Sequence, residues 1–84
     1  MESAQILEQL TAIIRDALDD QTLPVTLDTS AADVPAWDSL AHINIVVATE
    51  MGFGIKFRTT ELEQIRNVGE LVSLIDRKLK AKQG

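Results

Sequence analysis

Residues 37–51 read WDSLAHINIVVATEM, and this stretch decides the fold. From Ser39 onwards apolar residues recur at helical spacing, and Asp38 is a natural N-cap, so a helix is predicted from Ser39 to Met51. The preceding segment, 19–37, has two prolines, several Ser, Thr and Asp residues and no periodicity, which predicts a long loop. Ser39 would therefore lie at the positive end of a helix dipole, where unpaired backbone N–H groups favour a phosphate-linked group.

Two further long helices are predicted outward from that stretch. The first runs from Ser3, its expected N-cap, to Ala17 or Leu18. The last opens at Asn67, which with Glu70 resembles a capping box. The apolar positions of these two helices recur every three or four residues: Ile6, Leu7, Leu10, Ile13, Ile14 and Leu18, then Val68, Leu71, Val72, Ile75 and Leu79.

Shorter features join the helices. Gly52 and Gly54 are predicted to end the second helix. Thr60 with Glu63 fits a capping box and predicts a short helix through about Ile65, with its apolar side chains facing inward: Leu62 and Ile65. Phe53, Ile55 and Phe57 alternate as in an extended segment, but no strand is predicted because the chain offers no partner strand.

The long first loop is expected to contact the core and to contain one helical turn near 30–33. Four apolar side chains are expected to hold it there: Leu23, Val25, Leu27 and Val34. The whole pattern predicts an all-α fold, a small four-helix bundle of three longer helices and one short helix. Residues 1–84 are predicted to form a single domain.

Composition excludes several classes of function. Acidic residues outnumber basic ones 13 to 8 and the net charge is −5, the opposite of a nucleic-acid-binding surface. This charge favours protein partners with basic docking patches. Cysteine is absent, so there is no disulfide framework or thiolate metal site, and no apolar run reaches the length of a membrane span. We expect a cytoplasmic monomer that binds no nucleic acid, does not insert into membranes and holds no metal.

The residues alone leave three interpretations of Ser39. It can carry a phosphate-linked prosthetic group, or be an ordinary helix-start serine of an interaction module. It can also be the nucleophile of a small hydrolase with His42, three residues further on, but no Gly-rich elbow or evident oxyanion site accompanies this pair. No catalytic residue is therefore predicted. Trp37 is expected to anchor the loop to the core rather than to serve partners, and His42 is expected to be a surface residue.

Residues 37–50, followed by Gly52-Phe53-Gly54-Ile55, resemble the acyl carrier protein family. In that family Asp-Ser-Leu starts the second helix, an acidic residue closes it, and a Phe-Gly-Ile-like segment follows. The resemblance implies a non-catalytic carrier. A phosphopantetheinyl transferase would attach 4′-phosphopantetheine from coenzyme A to Ser39, and the arm's thiol would hold an acyl chain as a thioester. Acyl ligases, transferases and synthases of fatty-acid, lipid or polyketide-type biosynthesis would dock at helix two.

The resemblance also implies roles for other residues. Asp38 helps the transferase to engage the site, and Leu40 contacts partner surfaces. Three residues are expected to line a cavity for the acyl chain, whose burial would stabilise the fold: Val47, Leu62 and Ile65. Thr49 stands where the family often has a large apolar residue.

The chain departs from the family pattern in the charge of helix two. Housekeeping fatty-acid carriers of the family usually carry several acids there, whereas four positions expected to be exposed are uncharged: Ala41, Asn44, Ile45 and Met51. Glu50 is the one acid that remains, which favours a specialised set of partners. An aminoacyl or peptidyl carrier, and an interaction module without a prosthetic group, remain the alternatives.

Overall fold

The computed structural model describes residues 2–83 of the chain. Its elements, in chain order, are α1 (Ser3–Leu18), a 3₁₀ turn (Ala31–Asp33), α2 (Ser39–Phe53), α3 (Thr59–Glu63) and α4 (Val68–Gln83). No strand occurs between residues 2 and 83. The predicted bundle of three longer helices and one short helix is confirmed, as is the helical turn in the long first loop.

The core forms where α1 packs against both α2 and α4. α1 contributes Ile6, Leu10 and Ile14, all with no exposed surface. The other helices and the segment after α2 complete the core: Ile45, Phe53, Ile55, Val68, Leu71, Val72 and Ile75. The apolar spacing of α1 and α4 identified their core positions, because in both helices apolar residues form one stripe against a polar opposite face.

The buried face of α2 is not the one that the sequence suggested. Its buried residues follow a four-residue spacing: Ala41, Ile45, Thr49 and Phe53. The expectation that Ala41 and Ile45 are exposed is wrong, since they are only 8% and 1% exposed. α2 carries apolar residues on nearly all sides, so periodicity could not select the face that packs against α1.

The helix ends differ in detail from the predictions. α1 is capped by Glu2 rather than Ser3, and the Glu2 N–H donates to Gln5 Oε1 at 3.1 Å. α2 continues two residues beyond Met51 to Phe53, whose ring is buried in the core. Gly54 then ends the helix with a φ of 67°, in the left-handed region that glycine adopts without strain.

The predicted capping box of α3 is placed two residues too late. The N-cap is Arg58, whose N–H donates to Glu61 Oε1 at 2.8 Å, and the helix ends at Glu63. Glu61 also pairs with Lys78 at 2.8 Å, and these two bonds hold the pKa of the Glu61 carboxyl below its usual value. At the start of α4 the predicted cap is present, because Asn67 Oδ1 accepts a bond from the N–H of the residue three further on, at 2.9 Å.

The first loop is held to the bundle by side chains and by its backbone. Val34 is buried, whereas Leu23 and Val25 are half-buried against the core. Leu27 was expected to do the same, but its side chain is 49% exposed. Its carbonyl oxygen instead accepts the N–H of Gly69 at 2.7 Å. A Cβ at position 69 would lie 2.9 Å from that oxygen, so this close approach requires glycine.

Candidate functional site

Ser39 is the first residue of α2, and its side chain is exposed. The preceding residue, Asp38, caps the helix: its Oδ1 accepts the N–H of Ala41 at 2.8 Å, and its carbonyl accepts the N–H of His42 at 2.9 Å. The capping task therefore belongs to Asp38, and the Ser39 hydroxyl is left available for attachment. The N–H groups of Ser39 and Leu40 lie at the positive end of the helix dipole, which suits a phosphodiester. The residues present fit a phosphate-linked prosthetic group.

Trp37 and His42 form a pair beside this serine. Trp37 Nε1 donates to His42 Nδ1 at 3.2 Å, and the two ring centroids are 6.3 Å apart. Trp37 also packs against the core, so its expected anchoring role is confirmed. His42 is half-buried rather than a surface residue. Because Nδ1 accepts the indole proton, His42 is engaged with Trp37, which gives no support to a hydrolase in which it activates Ser39.

A cavity of about 50 Å³ lies beside the start of α2. It is lined by the first loop, by the Trp37–His42 pair and by the region where α3 leads into α4: Thr29, Ser30, Ala31, Trp37, His42, Ile65, Arg66, Asn67, Val68 and Leu71. Of the three residues expected to line an acyl cavity, only Ile65 does so. Val47 lies on the exposed side of α2, at 47% exposure, and Leu62 does not line this cavity. The sequence spacing of Trp37 and His42 could not predict that they line this cavity, because the cavity forms only when the first loop folds back onto α4.

The outward side of α2 is apolar. Four large side chains are 68%, 58%, 47% and 80% exposed, respectively: Leu40, Ile43, Val47 and Met51. They recur at three- and four-residue spacing and therefore share one face, which we call the α2 surface. The only acid within α2, Glu50, uses its carboxylate to accept the N–H of Phe57 at 2.8 Å. The α2 surface thus begins beside Ser39 and carries no charged side chain of its own.

Residues 2–83 contain no cluster of three or more His, Cys, Asp or Glu side chains that could hold a metal ion. Among the helices of this part of the chain, none has the length and apolar character needed to cross a membrane.

Comparison with known proteins agrees with the geometry of the α2 start. The family described as "Phosphopantetheine attachment site" matches residues 8–75, a span that includes Ser39. An acyl carrier protein of Petrotoga mobilis is 35% identical over 79 residues, which are 94% of this chain and 93% of the relative. This chain belongs to the acyl carrier protein family. An acyl carrier protein of Thermotoga maritima is 33% identical over 75 residues, covering 89% of this chain and 93% of the relative.

The fold of this carrier is also that of a solved family member. The solution structure of a holo acyl carrier protein from Geobacter metallireducens superposes with a TM-score of 0.86 at 45% identity. The match covers 92% of this chain and 88% of the other. The predicted family, fold and covalent phosphopantetheine group are confirmed. Members of this family are carriers without catalytic activity, and the cysteine-free composition fits one whose thiol is supplied by the prosthetic group.

Proposed function

We propose that this protein carries acyl groups on a 4′-phosphopantetheine arm attached to Ser39. The observation that supports this most directly is an exposed serine at the first residue of α2 whose helix is capped by its neighbour, Asp38. The hydroxyl is accessible to a transferase, and the helix terminus stabilises the phosphodiester. The arm supplies the thiol that holds the acyl group as a thioester. The chain's own residues position and shield the group, and residues 1–84 act as one carrier domain.

The α2 surface is the proposed docking site for the enzymes that act on the cargo. It adjoins Ser39, so an enzyme that covers it has its active site close to the arm. Its exposed side chains fit an apolar groove that admits a helix. The proposed partner classes are the phosphopantetheinyl transferase, an acyl ligase or transferase, and synthases of fatty-acid, lipid or polyketide-type biosynthesis. The proposed location of the carrier is the cytoplasm.

The distribution of charge supports an apolar rather than an electrostatic docking site. Eight of the 13 acids precede Ser39, together with a single base, Arg15. The excess negative charge therefore lies in α1 and the first loop. Between Ser39 and the end of α2 the only formal charge is Glu50, which is hydrogen-bonded to the backbone. Attraction to basic patches can speed the approach of a partner to the whole carrier. This electrostatic attraction contributes little to binding at α2 itself.

Intact mass spectrometry tests the attachment. The protein is incubated with coenzyme A and a broad-specificity phosphopantetheinyl transferase, and we expect a gain of one phosphopantetheine unit. Ser39→Ala should abolish the gain. Ser73→Ala is the matched control, because Ser73 is an exposed serine in the middle of α4 and should leave the gain unchanged. If folded wild-type protein gains no mass while a known carrier does, the proposal is wrong. The cargo class is then identified by a loading assay of the holo form with its ligase, which compares acyl groups with aminoacyl groups.

A further inference from the structure

The cavity beside the start of α2 is small. Its volume is about 50 Å³. For comparison, an apolar cavity of roughly 150 Å³, lined by aliphatic and aromatic side chains, holds one benzene molecule. A cavity with a third of that volume has room for about two or three carbon atoms. The lining also includes aliphatic side chains that suit a hydrocarbon: Ile65, Val68 and Leu71.

Trp37 forms a fixed wall of this cavity. Its backbone N–H donates to the carbonyl of Val34 at 2.9 Å, and its indole N–H donates to His42 Nδ1 at 3.2 Å. Val34 is itself buried, and the indole packs against the core. The ring is thus held through its main chain, through its polar edge and through its apolar face. A cargo chain could move it only by breaking these contacts.

The position of this wall relates it to the attachment point. Trp37 precedes Ser39 by two residues, and His42 follows Ser39 by three, close to one helical turn. Among the residues that line the cavity, these two are the nearest to Ser39 along the chain. The wall formed by Trp37 and His42 is therefore the part of the lining that the shortest stretch of chain joins to Ser39.

We propose that Trp37 is a specificity-determining residue of this carrier and that the cargo class it favours is short acyl groups, with about two or three carbons beyond the thioester carbonyl. His42 is a positioning residue that acts through its hydrogen bond to the indole. Longer chains have no room beside Trp37 and stay outside the bundle. This inference rests on the proposed attachment of cargo through Ser39.

Loading the carrier with acyl groups of increasing length tests this limit on chain length. Acetyl-, butyryl- and octanoyl-coenzyme A are used with the transferase to load wild type and Trp37→Ala, and each product is checked by mass before its melting temperature is compared with that of the holo form. Each methylene that enters the cavity should raise the melting temperature by roughly 3–6 °C. In wild type the rise should stop at butyryl. In Trp37→Ala, where removal of the indole enlarges the cavity, it should continue to octanoyl.

Three variants separate a size limit from simple loss of stability. Val34→Ala removes a buried loop contact that does not line the cavity, so it should lower all melting temperatures while the rise still stops at butyryl. Trp37→Phe keeps an aromatic ring but loses the bond to His42, so it should move the limit in the same direction as His42→Ala. His42→Ala frees the indole and should move the limit towards longer chains. A destabilising effect alone would not change the dependence on chain length.

The only tryptophan of the chain gives a second measurement that needs no amino-acid substitution. The emission of Trp37 should change between the holo and butyryl forms of wild type, because the cargo contacts the indole. The proposal is overturned if the melting temperature climbs to octanoyl equally in wild type and Trp37→Ala, or if all acyl forms melt alike and the emission is unchanged. If Trp37→Ala does not fold, the wild-type series and Trp37→Leu decide. A failure to load any group appears in the mass step and counts against attachment at Ser39, not against the size limit.

Discussion

α1 and α2 are nearly equal in length, 16 and 15 residues, yet they use their apolar residues differently. α1 has one apolar stripe, and the three residues at its centre, Ile6, Leu10 and Ile14, are completely buried. α2 is apolar on nearly all sides, and its four large exposed side chains form the α2 surface. The apolar stripe of α1 is therefore buried in the core, whereas α2 has one apolar face in the core and a second one exposed to solvent.

The exposed apolar face of α2 lies where a function is proposed. Single exposed apolar side chains are common on soluble proteins, but a continuous row of four along one helix face indicates an interaction surface. In α2 that row starts beside Ser39, the proposed attachment residue, and the opposite face is held by α1. α1 thus fixes the orientation of α2, and α2 presents both the proposed attachment residue and the proposed docking surface. The two helices can be compared experimentally through matched substitutions.

The largest expected effect tests which face of α2 belongs to the core. Ile45→Ala in α2 and Ile14→Ala in α1 should each lower the free energy of unfolding by about 2–5 kcal/mol, because both side chains are buried and their removal leaves a cavity. Ile43→Ala, two residues away in the same helix and 58% exposed, should cost under about 1 kcal/mol. Urea unfolding of the three variants measures this. Equal losses at Ile43 and Ile45 would contradict the orientation of α2.

The next effect tests what the exposed face does. Ile43→Gln should lower kcat/KM for transfer of phosphopantetheine to Ser39 by about tenfold, which corresponds to about 1.4 kcal/mol, because the few interface residues that cost more than about 1 kcal/mol lie near the centre of the contact, where Ile43 is expected. Leu27→Gln is the matched control, since Leu27 has comparable exposure but lies in the first loop. It should leave kcat/KM within about twofold.

Salt dependence distinguishes the two sources of partner recognition. If the α2 surface dominates, kcat/KM of wild type should fall by less than about threefold between 50 and 500 mM NaCl, because screening acts on charges and α2 offers none that is free. A steep fall with salt, together with no effect of Ile43→Gln, would show that partners recognise the acids of α1 and the first loop instead. The carrier function would still stand in that case.

The same difference between α1 and α2 explains which features could be predicted. In α1 and α4 one apolar stripe faces one polar side, so spacing alone identifies the core positions. In α2 several faces are equally apolar, and the choice of Ala41, Ile45, Thr49 and Phe53 depends on the packing of α1. Thr49 illustrates this, since hydrophobicity would not place a threonine in the core, yet it has no exposed surface.

The candidate site likewise has features that the sequence predicts and features that it does not. Ser39 and its cap could be predicted because Asp38, Ser39 and the first turn of the helix are adjacent in sequence. Whether Ser39 is the modified residue is still a prediction for the mass measurement. The cavity could not be predicted, because it is enclosed by three segments that meet only in the folded chain. Val47 and Leu62 were placed in it by family resemblance, whereas the structure places Trp37 and His42 there.

A smaller effect compares the two helix starts. Asp38→Ala should cost about 0.5–2 kcal/mol, because the carboxylate oxygen that accepts the Ala41 N–H is lost. At α1, Glu2→Ala should cost less, since the bond there runs from the Glu2 backbone to Gln5 and survives the change. Asp38→Asn keeps the acceptor and should retain most of the stability. If Asp38→Asn still folds but is no longer modified, the charge of Asp38 serves the transferase in addition to capping.

The smallest expected effect is at Thr49, the one polar side chain on the buried face of α2. Its hydroxyl donates to the carbonyl of Ile45 at 2.7 Å, one turn back in the same helix. Thr49→Val has nearly the same shape, removes the buried hydroxyl and leaves that carbonyl its ordinary helical partner. The change in stability should therefore stay within about 1 kcal/mol of zero. A loss above about 2 kcal/mol would mean that the hydroxyl has a partner beyond α2, and the buried face of α2 would then owe its selection to a polar contact rather than to packing against α1.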